Sequence, residues 1–293
     1  MLLPKNALCV GIILSLLFSL AWAGERIVIQ GSTTVLPLVQ ILAEKYMEKH
    51  PEVDISVSGG GSGVGITALL DGITDIAMSS REAKEKEVAE ARARGKDLIP
   101  VVIAYDAIAV IVHPKNPIDT LSLENLRRIY TGDIRNWKDL GGPPVPVVPI
   151  SREFASGTFE VFNRVVLQKE ELTPSALMLV SNLTILQEVS SSPGCIGYVG
   201  LGYVRETVKV VALEGVFPTK ESVRLGQYPL ARPLYLYLAR PPEGSVGDFI
   251  AFALSEEGQY IVAEEGFIPV RAEENGDFLV VEGGDAHEKS GNP

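Results

Sequence analysis

The amino-acid sequence predicts an α/β protein built as two lobes. Apolar segments of strand length alternate with amphipathic segments of helix length from Ile27 onward, which is typical of sheets covered by helices. Two further apolar runs, residues 99–112 and 233–238, have the composition of strands that leave one sheet and enter another. If both runs cross, the middle of the chain forms one lobe and its two ends form the other. A ligand would then bind in the cleft between the lobes.

The individual elements follow from the spacing of apolar residues. Residues 27–30, 54–57, 75–78 and 145–150 are predicted as short buried strands, and the charged residues 83–94 as a solvent-exposed helix. Four further helices each have one apolar face. These faces are formed by Val35, Leu38, Val39, Leu42 and Tyr46; by Ile66, Leu69, Leu70 and Ile73; by Phe159, Phe162, Val165 and Val166; and by Phe249, Phe252, Ala253 and Tyr260.

The first residues have the features of a secretory signal peptide. Lys5 precedes an almost wholly apolar run, and Ala21-Trp22-Ala23 fits the small-x-small cleavage pattern. We expect residues 1–23 to be removed after Ala23 and the mature protein to be periplasmic; an uncleaved anchor is the alternative. The predicted lobes are then residues 24–106 with 228–276, and residues 107–227. The polar residues 277–293 are expected to form a mobile tail.

Composition excludes several classes of partner. The chain carries 26 basic and 37 acidic residues, a net charge of −11, whereas nucleic acids and anionic membranes bind basic faces. We therefore expect neither partner. Without the signal peptide Cys195 is the only cysteine, and its apolar neighbours predict a buried free thiol. The three histidines are far apart in the sequence, so we expect no metal and no cofactor.

The sequence contains three turns rich in Ser, Thr and Gly, each between a predicted strand and a predicted helix. Hydroxyls and free backbone N–H groups at a helix N-terminus bind anions. The third turn adds a guanidinium suited to a tetrahedral oxyanion. The candidate residues are Ser32, Thr33 and Thr34 in the first turn, Ser62 in the second, and Arg152, Ser156, Gly157 and Thr158 in the third. Ordinary helix caps with a surface arginine are the alternative.

Two further motifs are weaker. Ser80 and Arg81 follow the strand at 75–78 and could contact the same anion, Ser80 more directly than Arg81. Residues 63–68 fit a dinucleotide-binding fingerprint, but the next strand does not end in the acidic residue that this fold requires. No serine has a nearby histidine, and no G-x-S-x-G elbow or carboxylate pair is present. We therefore expect a binding protein rather than an enzyme, with a secreted phosphatase as the alternative.

These motifs resemble those of a known family. The matching residues are 31–34, 58–63, 75–81, 129–132, 136–137, 152, 156–158 and 196–198, spread over nearly all of the mature chain. They are similar to the periplasmic phosphate-binding proteins of phosphate ABC transporters, the PstS type, which have the type II periplasmic binding protein fold. The resemblance implies two α/β lobes joined by crossover strands that close on inorganic phosphate. It also implies a monomer that delivers phosphate to an inner-membrane permease, without a metal.

The resemblance assigns phosphate contacts to the residues of the three turns named above. One position departs from the family pattern. Family members with well-understood selectivity have an aspartate near Ser80, which accepts the proton of hydrogen phosphate and repels sulfate. Either Glu82, Asp106 or Glu153 takes this role, or discrimination is weaker here. Sulfate, molybdate and tungstate therefore remain alternative ligands.

Overall fold

The computed structural model describes residues 24–274 and 277–280. The predicted signal peptide and residues 281–293 of the predicted tail lie outside the described residues. Among the helices of the described part, none is both long and apolar enough to cross a membrane. The chain alternates strands and helices, which confirms the predicted α/β class.

The amino-terminal part alternates strands and helices in the predicted order. Its strands are β1 (Glu25–Gly31), β2 (Val53–Gly59) and β3 (Ile76–Ser79), and its helices are α1 (Leu36–Lys49), α2 (Ser62–Asp71) and α3 (Glu85–Ala93). β1 pairs in parallel with both β2 and β3. Because the strands are parallel, their carboxyl ends meet at one edge of the sheet.

The long strand β4 (Ile99–Val112) connects the two halves of the molecule. Its first part pairs antiparallel with β10 (Ala231–Leu238), and its second part pairs antiparallel with β8 (Cys195–Gly200). Burial on both sides explains its unbroken apolar composition from residue 107 to residue 112. The crossing predicted for residues 99–112 is therefore present.

The second crossing differs in position from the prediction. β10 pairs with β4 along its whole length, and β3 pairs with the other edge of β10. Residues 233–238 therefore stay within the first lobe, because both edges of the strand are occupied there. The chain returns just before β10, where the Ile108 N–H donates to the Leu230 carbonyl at 3.0 Å.

The second lobe is formed by the middle of the chain. Its strands are β5 (Thr120–Leu121), β6 (Val148–Arg152), β7 (Leu177–Leu179), β8 and β9 (Lys209–Leu213), and its helices are α4 (Leu123–Thr131), α5 (Gly157–Phe162), α6 (Asn182–Ser191) and α7 (Lys220–Arg224). A π-helical turn, Asn163–Leu167, continues α5. β6 lies parallel to β7 and β8, so its carboxyl end at Arg152 leads directly into the turn before α5.

The carboxyl-terminal part returns to the first lobe. It contains α8 (Gly244–Leu254), α9 (Glu256–Glu264) and β11 (Ile268–Pro269), and β11 pairs with β4. The hairpin of β12 (Arg271–Glu274) and β13 (Asp277–Val280) follows. Four residues of the predicted tail thus form a strand.

Each lobe has its own hydrophobic core. In the second lobe the ring of Phe162 stacks on that of Tyr198 with centroids 4.0 Å apart, and Tyr130 packs edge-on against Phe162. Trp137 is fully buried beside them and donates its indole N–H to the Gly194 carbonyl at 3.0 Å. Cys195 is buried, as predicted.

The aromatic cluster predicts a large effect of truncation. Phe162→Ala should lower the free energy of unfolding by about 3–5 kcal/mol, because the fully buried ring leaves a cavity between Tyr130 and Tyr198. Urea denaturation measures this value. Phe217→Ala is the control, since that side chain is 50% exposed and its removal should change stability by about 0.5 kcal/mol or less. Equal losses in the two variants would contradict the assignment of the core.

Candidate oxyanion-binding site

The predicted turns all lie at the carboxyl ends of strands. Ser32 follows β1, Ser62 follows β2 and Ser80 follows β3, and the parallel pairing of these strands brings the three residues to one edge. Arg152 ends β6 in the second lobe. Open α/β sheets bind ligands at such edges.

Gly31 allows the first turn to pass close to β3. Its φ is 148°, and a Cβ there would lie 2.1 Å from the Met78 carbonyl oxygen, so only glycine fits. Ser32 donates its backbone N–H to that carbonyl at 2.9 Å, and its hydroxyl accepts the Thr34 N–H at 3.2 Å. The position of Thr34 at the cleft is fixed by these bonds.

The third turn presents the donors that the sequence predicts. The Ser156 hydroxyl caps α5 by accepting the Phe159 N–H at 3.4 Å. The geometry of a helix start leaves the N–H groups of Gly157 and Thr158 without an acceptor in the helix. Both residues are buried at the positive end of the helix dipole.

The first and third turns contact each other across the cleft. Thr34 Oγ1 lies 3.0 Å from Thr158 Oγ1, and Arg152 Nη2 donates to Thr33 Oγ1 at 3.0 Å. Each pair joins one lobe to the other. The structure therefore places these four predicted residues in one cluster.

Gly157 lets the second turn and Ser80 join this cluster. A Cβ on Gly157 would lie 2.4 Å from Ser62 Oγ and 2.8 Å from Ser80 Oγ. The Ser62 hydroxyl accepts the Ser80 backbone N–H at 3.1 Å. Beside them the Gly63 N–H donates to the Ala155 carbonyl at 3.1 Å. A larger residue at position 157 would push the lobes apart.

Arg152 carries the charge of the cluster and is only 2% exposed. Its Nε donates to the Leu179 carbonyl at 3.3 Å and its Nη2 to the Val180 carbonyl at 2.8 Å. Within the described residues its Nη1 has no hydrogen-bond partner. Burial lowers the pKa of Arg152 to about 10, and the nearby charge of Arg232 acts in the same direction. A buried cation with an unused N–H is suited to an anionic ligand.

The guanidinium of Arg81 does not join this cluster. It donates to both oxygens of Glu87 at 2.8 Å, and its Nε lies 3.1 Å from Glu160 Oε1 in the second lobe. Lys84 Nζ lies 2.7 Å from the same Glu160 oxygen. Arg81 is thus directed to two carboxylates at the rim of the cleft, because they neutralise its charge where it is buried.

Two charged residues lie at the base of the site, one of them the candidate proton acceptor Asp106 and the other Arg232, which the sequence did not single out. Asp106 in β4 and Arg232 in β10 are buried and form an ion pair with Arg232 Nη2 2.8 Å from Asp106 Oδ2. Burial raises the pKa of Asp106 and lowers that of Arg232, while each charge opposes the shift of the other. Of the three carboxylates considered above, Asp106 alone is buried here; Glu82 and Glu153 are exposed.

Asn182, the first residue of α6, is the second residue here that the sequence did not single out. Its Nδ2 donates to Thr34 Oγ1 at 3.1 Å, and its Oδ1 accepts the Gly200 N–H at 3.1 Å. The interruption of an apolar run by Tyr105-Asp106 is a sequence signal for the aspartate. Arg232 and Asn182 have no comparable signal, since their roles depend on contacts between distant strands and helices. Across the described residues no group of three His, Cys, Asp or Glu side chains could hold a metal ion.

Comparison with known sequences decides the family. A model described as a PBP superfamily domain matches residues 19–257. The phosphate-binding protein PstS of Bacillus subtilis is 33% identical over 250 residues, which cover 85% of this chain and 82% of that protein. This chain belongs to the PstS family. The PstS of Borreliella burgdorferi is similarly related, at 32% identity over 84% of this chain and 91% of its own length.

Two solved structures of phosphate-transport proteins have the same fold. A Clostridium perfringens protein assigned as the substrate-binding protein of a phosphate ABC transporter, solved with bound phosphate, matches with a TM-score of 0.79 and 38% identity. The match covers 84% of this chain and 100% of that protein. A phosphate transport receptor from Vibrio cholerae matches with a TM-score of 0.70 and 33% identity over 83% of this chain and 99% of its own. These likenesses confirm the two-lobed periplasmic binding protein fold.

Tyr198 supports the third turn from the core side. Its hydroxyl lies 2.7 Å from Ser151 Oγ and accepts the Arg152 backbone N–H at 3.2 Å. Burial raises the pKa of Tyr198 from 10.0 to about 12. The folded protein therefore keeps this proton at a pH where the unfolded chain has lost it. The resulting stability is fully present below pH 10 and is lost as the pH rises towards 12.

Tyr198→Phe tests this support. At pH 7 the variant should lose about 1–3 kcal/mol of unfolding free energy, because the Arg152 N–H and the Ser151 hydroxyl lose a partner. Between pH 10 and 12 its stability should fall less than that of the parent, by about 2 kcal/mol. Chemical denaturation across this pH interval measures both. The exposed Tyr260→Phe is the control, and the same pH dependence in both variants would refute the role of Tyr198.

Proposed function

We propose that this protein captures inorganic phosphate outside the cytoplasm and delivers it to the permease of an ABC transporter. The observation that carries the proposal is the buried Nη1 of Arg152, which has no hydrogen-bond partner in the described part of the chain while Nη2 of the same guanidinium contacts the Thr33 hydroxyl. The PstS relatives and the phosphate-bound Clostridium perfringens structure support phosphate as the anion.

The proposed contacts come from both walls of the cleft. Arg152, Thr158 and the N–H groups at the start of α5 bind phosphate from the second lobe. Thr33 and Ser62 act from the first lobe, where Thr34 contacts the Thr158 hydroxyl and Ser80 stands beside Ser62. A hydrogen bond to a charged group contributes about 1.5–3 kcal/mol, so several such bonds offset the desolvation of phosphate and the closing of the lobes. The free-energy contributions of the individual hydrogen bonds are not additive.

Binding without catalysis fits the chemistry of these side chains. The groups proposed to face the ligand are hydroxyls, a guanidinium and backbone amides, which stabilise an anion; a hydroxyl attacks phosphorus only when a general base removes its proton. The carboxylate that could act as a general base, Asp106, already pairs with Arg232 and accepts the Leu201 N–H at 2.9 Å. A phosphatase would need a base with a free lone pair near Thr158.

Export, the monomeric state and recognition by the permease belong to the same proposal. Signal cleavage after Ala23 releases the mature chain, which acts as a periplasmic monomer. The lobes close on the ligand because residues from both lobes contact it, and the closed form is what the permease recognises. The Ala21-Trp22-Ala23 motif and the PstS relatives support this order of events.

Arg152→Ala tests the binding site. The variant should bind phosphate at least about 100-fold more weakly, since two or more charge-assisted hydrogen bonds are lost. Isothermal titration of phosphate-stripped protein measures the dissociation constant. Arg26→Ala is the matched control, because that arginine lies on the surface of β1 with a side chain 67% exposed. This variant should bind phosphate as tightly as the parent. Parental affinity in Arg152→Ala would reject the site.

Sulfate competition tests the consequence of Ser80. Glu82 and Glu153 are exposed and Asp106 is paired with Arg232, so no carboxylate among the described site residues is free to repel sulfate. A large excess of sulfate should therefore weaken the apparent affinity for phosphate. Ser80→Asp should reduce this competition by placing a negative charge at the cleft. Phosphate binding that is indifferent to sulfate in the parent would contradict this explanation.

A further inference from the structure

We infer that Arg232 and Asp106 are positioning residues that fix the direction of a hydrogen-bond chain across the cleft, so that the Thr158 hydroxyl donates its proton to the bound anion. This inference rests on the proposed phosphate function. The chain runs from Asn182 and Arg232 to Thr34, and from Thr34 to Thr158. It joins the two lobes at the floor of the cleft.

Arg232 is itself fully engaged and therefore does not bind the ligand. A guanidinium has five N–H donors. Nε and Nη2 donate to Asp106 Oδ2 at 3.1 and 2.8 Å, and Nη2 also reaches Thr34 Oγ1 at 3.5 Å. Nη1 donates to Thr158 Oγ1 at 2.9 Å and to the Ser80 carbonyl at 3.4 Å. These contacts use all five donors, in contrast to Arg152.

The N–H groups around Thr34, Asn182 Nδ2 at 3.1 Å and Arg232 Nη2 at 3.5 Å, favour the Thr34 hydroxyl as a donor to Thr158. The hydroxyl oxygen of Thr34 has two lone pairs, and these N–H groups point at them. The amide of Asn182 is oriented by the Gly200 N–H, which its Oδ1 accepts at 3.1 Å. The nearest acceptor for the Thr34 proton is Thr158 Oγ1, 3.0 Å away.

The same reasoning then applies to Thr158. Its oxygen accepts one bond from Arg232 Nη1 and one from the Thr34 hydroxyl, which fills both lone pairs. Its own proton must point elsewhere. Thr158 belongs to the start of α5, beside the free N–H groups of that helix, so the proton adds to the donors that face an anion.

Asp106 fixes the orientation of the Arg232 guanidinium, so that its remaining N–H groups point at Thr34 and Thr158. One carboxylate oxygen accepts two N–H groups of Arg232, and the other accepts the Leu201 N–H at 2.9 Å. A lysine at position 232 would preserve the charge but could not contact Asp106, Thr34 and Thr158 in this fixed geometry. The fork shape of the arginine is therefore the property to test.

A double-mutant cycle between positions 232 and 158 tests the inference. Phosphate dissociation constants are measured by titration calorimetry for the parent, Arg232→Lys, Thr158→Val and the double variant. Each single variant should bind about 10-fold or more weakly, as expected for one lost bond to a charged ligand. The dissociation constant of the double variant should be no larger than the larger of the two single-variant constants, because both changes remove the same donated proton. Losses that multiply would overturn the inference.

Two further variants keep the test decisive. Asp106→Asn should reproduce the loss of affinity seen with Arg232→Lys, because the arginine loses its orienting carboxylate. If thermal unfolding shows that Arg232→Lys does not fold, Thr34→Val replaces it in the cycle and should show the same non-additivity with Thr158→Val. A parent protein that binds no phosphate would reject the proposed function. Phosphate binding by the parent together with multiplying losses would reject only the hydrogen-bond chain.

Discussion

The Arg152 guanidinium is buried without a carboxylate partner among residues 24–274, and this is the constraint on which the cleft depends. Removing a charge from water costs several kcal/mol unless hydrogen bonds replace the water. The protein supplies the carbonyls of Leu179 and Val180 and the hydroxyl of Thr33, all neutral, and leaves Nη1 without a partner in the described residues. An anion completes the set. Burying the Arg152 charge costs free energy, and an anion bound beside it offsets that cost. Because Arg152 also contacts Thr33 of the other lobe, anion binding and contact between the lobes favour each other.

The architecture explains how so many donors reach one place. Parallel pairing aligns the ends of β1, β2 and β3 in the first lobe, and β6 delivers Arg152 and α5 from the second. The strands that pass between the lobes contribute the charges beneath them, Asp106 from β4 and Arg232 from β10. Ion pairs also connect the lobes at the rim, where Glu160 meets Arg81 and Lys84. Contacts made jointly by two lobes are lost when the lobes separate, so the closed form is the one that these residues stabilise.

The sequence predicts the local parts of this protein better than the long-range ones. The strand–turn–helix units, the capped start of α5 and the first crossing follow from apolar spacing and turn composition, and the structure has them. The strand predicted at residues 145–150 lies at Val148–Arg152, so Arg152 ends the strand rather than lying in the turn. The second crossing falls near Leu230 rather than within residues 233–238, because pairing on both edges of β10 is not visible in its composition. For the same reason Arg81 was expected beside the anion although Glu87 and Glu160 hold it at the rim. Arg232 reaches Thr158 across 74 positions and Asn182 reaches Thr34 across 148, and no local pattern reveals such contacts.

A crystal structure of the mature protein with phosphate would test the central claim most directly. The account predicts one anion in the cleft, with oxygens within hydrogen-bond distance of Arg152 Nη1, Thr158 Oγ1 and the N–H groups at the start of α5. Arg232 should remain on Asp106 and Thr158 without contacting the anion. Phosphate bound to Arg81 at the rim of the cleft, or Arg152 paired with a carboxylate while phosphate lies elsewhere, would contradict it.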